Sequence, residues 1–154
     1  MTAPTLVFGW GNPSRGDDAL GPLFLERFAA LTAGRDGNDA VECLTDFQLQ
    51  VEHALDLKGR ARVLFVDASH DAAPPCTLAR ILPRADAVVF SHALSPAGLL
   101  HVYADVTGDA PPPCWQLAIR GEAFELGAPL SPAAVAHLEA ALALAGDWLA
   151  APLA

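Results

Sequence analysis

The run Ala61-Arg62-Val63-Leu64-Phe65-Val66-Asp67 constrains the fold more than any other stretch of the chain. Four consecutive apolar residues closed by an aspartate leave no polar face. Such a run predicts a strand covered on both sides, as strands are in a parallel sheet between helices. The neighbouring segments supply the rest of that architecture. Residues 5–9 predict a short buried strand, and residues 41–44 a second. Residues 78–82 and 87–90 are further strand-length runs, the first stopped by Pro83, and residues 114–119 predict a last strand.

Helical spacing alternates with these strands. Leu20, Leu23, Phe24, Arg27, Phe28 and Leu31 recur at steps of three and four, which predicts an amphipathic helix. Val51, Ala54 and Leu55 mark a short helix that stops near Gly59. Ser95-Pro96 and Ser131-Pro132 each place a capping serine before a proline at the first helical position. Behind the second, Val135, Leu138, Leu142, Ala145 and Leu149 continue the helical spacing. The expected fold is α/β: a three-layer sandwich with a mainly parallel twisted sheet and helices on both faces. No internal repeat or domain boundary is visible, so residues 1–154 are expected to form one domain. Pro111-Pro112-Pro113 is a stiff loop within it.

Composition excludes several functions. Lys and Arg number 9 against 18 Asp and Glu, a formal charge of −9. A nucleic-acid binder needs a basic footprint to displace counterions from phosphate, and an electrostatic membrane-surface module needs the same sign. Neither partner is expected. Residues 1–4 carry no charged signal-peptide region, and His137, Glu139 and Asp147 interrupt the most apolar segment. The three cysteines, Cys43, Cys76 and Cys114, are odd in number and widely spaced. That argues against a disulfide framework or a structural zinc site, and the expected compartment is the reducing cytoplasm.

The chemistry concentrates in Gly9-Trp10-Gly11-Asn12-Pro13-Ser14-Arg15-Gly16-Asp17-Asp18-Ala19-Leu20-Gly21. This strand–turn–helix sits where an α/β fold places its ligand. The third glycine of a dinucleotide fingerprint would fall at Ser14, and the lysine of a phosphate loop is absent. Asp17 and Asp18 would repel a phosphate at the helix start. They suit a cation, or they cap the helix and complement its dipole. Asp67 also closes a strand, and His92 follows the run 87–90. Strand ends in a parallel sheet converge, so Asp17, Asp18 and Asp67 are expected at one edge, with His92 beside them. Two carboxylates and an imidazole make a divalent-metal constellation with open positions. His53 and His137 are expected on polar helix faces.

Gly9-Trp10-Gly11-Asn12 through Asp17-Asp18-Ala19-Leu20-Gly21 resembles the opening signature of the hydrogenase maturation proteases. Phe47-Gln48-Leu49, Val63-Leu64-Phe65-Val66-Asp67-Ala68, Ser91-His92-Ala93-Leu94-Ser95-Pro96 and Phe124-Glu125-Leu126-Gly127 with Leu130-Ser131 are similar to that family's later segments, in the same order. Phe47 stands where the family usually has histidine, and Asp18 where it often has glutamate. The resemblance implies an endopeptidase that trims the C-terminus of a nickel–iron hydrogenase large-subunit precursor. It implies that Asp18, Asp67 and His92 contact metal and serve catalysis, and that the nickel arrives with the substrate. No tightly bound organic cofactor is expected, and the enzyme is expected to be a monomer that docks transiently. A hydrolase with its own resident metal and a precursor-binding chaperone that does not cleave are the alternatives. Peptidyl-tRNA hydrolases share a Gly-x-Gly-Asn-Pro opening. Here it continues into two aspartates, and the charge is wrong for tRNA.

Overall fold

The computed structural model describes residues 2–85 and 94–152. Among the described residues five strands form one sheet in the order β2-β1-β3-β5-β4. They are β1 (Thr5–Trp10), β2 (Val41–Asp46), β3 (Arg62–Ser69), β4 (Cys76–Ile81) and β5 (Cys114–Arg120). β1 pairs in parallel with β2 and β3, and β3 in parallel with β5. β4 joins the edge antiparallel to β5. The helices are α1 (Leu20–Thr32), α2 (Pro96–Thr107) and α3 (Pro132–Ala150), with 3-10 turns at Gly16–Ala19, Gly37–Asp39 and Val51–Leu57. The architecture is the expected α/β sandwich. The predicted strand at 87–90 lies outside the described residues.

Alternation along each strand divides the core in two. Val7, Leu64, Val66, Leu117 and Ile119 face α1 and α3, where Phe24, Phe28, Leu138, Leu142 and Trp148 cover them. Leu6, Phe8, Val63, Phe65 and Cys114 face the other way, under Ala54, Leu57, Leu99, Leu100 and Tyr103. Val63 to Val66 are all 0% exposed, which is why that run carries no polar residue.

Both Ser-Pro signatures open helices. The Ser95 hydroxyl accepts the Gly98 N–H at 3.1 Å, and the Ser131 hydroxyl accepts the Ala134 N–H at 3.3 Å. Four apolar positions that carry the helical spacing are exposed, Val51 and Leu55 (55% and 65%) in the 3-10 turn and Leu31 and Val135 in the helices. Leu31 and Val135 are 67% and 52% exposed, because the buried lines run through Leu20, Phe24 and Phe28 in α1 and through Ala134, Leu138 and Leu142 in α3. By length and composition α3 could span a membrane. Its Leu138, Ala141, Ala145 and Trp148 are instead buried against the sheet.

Candidate active site

The parallel strands β1, β3 and β5 end at one edge of the sheet, the usual ligand edge of an open α/β fold. β1 leaves it at Trp10 and returns as α1 through residues 11–19. Glycine makes that return possible at two points. At Gly11 φ is +153°, and a Cβ there would collide with the Asp18 carbonyl. At Gly21 a Cβ would collide with the Trp10 carbonyl. The opening motif is therefore a close approach of main chains rather than a phosphate cradle.

Asp17 and Asp18 separate completely in this turn. Asp17 is 0% exposed. Its Oδ2 accepts the N–H groups of Glu122 (2.7 Å) and Ala123 (3.1 Å) and the Ser131 hydroxyl (2.6 Å), and its Oδ1 accepts the Ser131 N–H (2.7 Å). Burial alone would raise its pKa. The hydrogen bonds outweigh that and hold the carboxyl below its ordinary value. The expectation that Asp17 joins a cation site is corrected: its oxygens tie the β5–α3 loop to the β1–α1 turn. Helix capping is not its role either, since neither the 3-10 turn nor α1 has a side-chain cap.

Asp18 is half-buried, and its Oδ2 accepts the Asn12 N–H at 2.7 Å. Asp67 lies near the end of β3, on the face shared with Val63 and Phe65. There the Gln116 side-chain Nε2 donates to its Oδ1 at 3.2 Å. Removal from water pushes the Asp67 carboxyl up to about 6. The Gln116 bond works against that rise, and the nearby charge of Asp18 adds to it. The structure thus brings Asp18 and Asp67 into electrostatic contact. His92 lies outside the described residues. Among the described residues no three His, Cys, Asp or Glu side chains form a metal cluster.

Two histidines expected in solvent are engaged. His53 Nδ1 accepts the Gln50 N–H at 2.8 Å, its Nε2 meets Asp46 Oδ2 at 3.2 Å, and its ring lies edge-on to Phe8. An acceptor at Nδ1 fixes the proton on Nε2, which donates to Asp46. His137 Nδ1 donates to the Arg120 carbonyl at 2.8 Å. Phe47 is 67% exposed and lines a groove of about 230 Å³ with Gly11, Pro13, Pro22, Thr45 and Asp46.

Each carboxylate of the pair has one oxygen held by the protein. The other oxygens, Asp18 Oδ1 and Asp67 Oδ2, accept no hydrogen bond among the described residues. Two such oxygens can take part in holding a divalent cation, or one can accept a proton from water. Gln116 was not legible as a site residue. Its only signal is an amide inside the run 114–119, whose other residues are apolar or small.

No family model matches the chain, and no curated protein matches it by sequence. Solved structures do. The maturating endopeptidase HybD of Escherichia coli is 25% identical, with a TM-score of 0.71 over 94% of this chain and 91% of its own. An endopeptidase of Escherichia coli solved in solution is 26% identical, with a TM-score of 0.66 over 92% and 88%. The NiFe hydrogenase maturation protease HycI of Thermococcus kodakarensis KOD1 shares the fold, with a TM-score of 0.71 over 96% and 92% at 23% identity. The fold is that of α/β endopeptidases, and its neighbours support a peptidase. In fold the chain is similar to the hydrogenase maturation proteases.

Proposed function

We propose that the chain removes the C-terminal extension of a nickel–iron hydrogenase large-subunit precursor after nickel insertion. The observation that carries this reading is the Asp18–Asp67 pair at the ligand edge of the maturation-protease fold, each with one oxygen pinned and one without a donor among the described residues. The nickel belongs to the substrate. Asp18 and His92 grip it there, and oxygen and imidazole ligands suit that ion. Asp67, with a pKa of about 6, is a stronger base than an ordinary aspartate and still mostly ionised at neutral pH. It takes a proton from the water that attacks the scissile carbonyl. The C–N bond then breaks and the amine leaves with a proton. The enzyme works in the cytoplasm as a monomer that docks on its precursor, with no resident organic cofactor.

The test is cleavage of nickel-loaded and nickel-free precursor, followed by the size of the large subunit. Shortening only with nickel is expected, and Asp67→Asn should abolish it. A stable complex without shortening would make the chain a binding chaperone. Nickel-independent cleavage by a protein purified with stoichiometric metal would make it a hydrolase with its own ion.

A further inference from the structure

Gln116 sits on β5 in register with Phe65, one strand over from β3 and two residues short of Asp67's own partner Ala118. Side chains alternate along a strand, so Gln116 and Asp67 project from the same face. That is the face on which Phe65 and Cys114 pack under α2. The neighbours of Gln116 on that face are Phe65 opposite on β3, Cys114 two positions back, Ala118 two positions on, and Ala79 opposite on β4. None of these bonds the amide, which reaches along the diagonal to Asp67 Oδ1, at 3.2 Å. A carboxylate is an acceptor only, so the bond requires the NH2 end of the glutamine.

The consequence is a division of labour between the two oxygens. Oδ1 accepts the Gln116 donor, and Oδ2 is the atom left without a donor among the described residues. Asp18 is organised alike by the Asn12 N–H on its Oδ2. We propose that Gln116 is a positioning residue that holds the Asp67 carboxylate so that one oxygen alone meets the substrate. This rests on the peptidase reading above. Groups that orient functional carboxylates typically cost 10- to 100-fold when removed.

Gln116→Met keeps the length and shape of the side chain and deletes the donor. Gln116→Asn keeps the donor and shortens the reach. Both are compared with wild type by cleavage of nickel-loaded precursor and by thermal melting. For both variants kcat should fall by about 10- to 100-fold, with the precursor KM within about 3-fold and Tm unchanged. A wild-type kcat for Gln116→Met overturns the proposal. So does a loss that appears in KM, or one matched by a lower Tm, since Gln116 would then contact substrate or support the fold. If wild type itself cleaves no precursor, the peptidase reading fails and the proposal falls with it. Cleavage by wild type with an unimpaired Gln116→Met refutes the positioning role alone.

Discussion

A carboxylate with no exposed surface persists only where donors replace the water it has lost. Asp17 meets that condition with four hydrogen bonds, three of them from main-chain N–H groups. Asparagine there would turn an NH2 toward one of those donors. Asp17→Asn should cost about 3 kcal/mol, read from urea unfolding at neutral pH; a cost under about 1 kcal/mol would contradict the network. Asp67 has the opposite linkage. Its folded pKa of about 6 lies above the ordinary 3.8, so the folded state binds its proton more tightly. The stability this contributes is whole below about pH 4 and is lost as pH rises through about 6. Between about pH 4 and pH 7 wild type should therefore lose on the order of 2–3 kcal/mol relative to Asp67→Asn. Parallel unfolding curves for the two proteins would refute it. Asp67 was legible at this edge because it nears the end of a parallel strand, and Asp18 because it lies in the turn that follows another. The sequence did not separate Asp17 from Asp18, because the donors that claim Asp17 lie in residues 122–131, more than a hundred positions away. Gln116 was hidden for a related reason: its partner is on another strand.

At the scale of elements, the parallel strands were legible from their apolar runs, whereas the reversal of β4 was not. A short apolar strand looks the same in either direction. What decides is the connection: residues 70–75 alone separate β3 from β4, too few for the crossover of a dozen or more that a parallel return needs. The end of α3 shows a similar dependence on distant partners. Arg62, the first residue of β3, donates to the carbonyls of Trp148 (3.2 Å), Leu149 (2.9 Å) and Ala151 (3.1 Å). Its guanidinium lies 4.8 Å from the Trp148 ring centre, and its Nε bonds the Thr5 hydroxyl. A cation on the last carbonyls of a helix satisfies orphan acceptors and favours the dipole. Arg62→Met should lower stability by about 1–2 kcal/mol and reduce hydrogen-exchange protection in the last turn of α3 before that of α1. Equal loss of protection in both helices would mean that Arg62 supports the whole fold and not that helix end.

Across the whole molecule, four aspartates share one sheet edge. Asp17, Asp18, Asp46 and Asp67 gather where the parallel strands end. Arg62 opens β3 and Arg80 nears the end of the reversed β4, so both lie toward the opposite edge, where each stacks on a tryptophan. On the reading proposed above, the net −9 matters through the carboxylates at this edge, which favour a cation there. Two open carboxylate oxygens, even with an imidazole, fill only part of a nickel coordination sphere. On the same reading, the remaining ligands come with the metal, inside a folded precursor that already holds it. That predicts an asymmetry between the partners. Enzyme treated with EDTA and desalted should cleave nickel-loaded precursor at an unchanged rate, whereas nickel-treated enzyme should leave nickel-free precursor intact. Activity lost on chelation and restored by adding metal to the enzyme alone would place the ion with the protease.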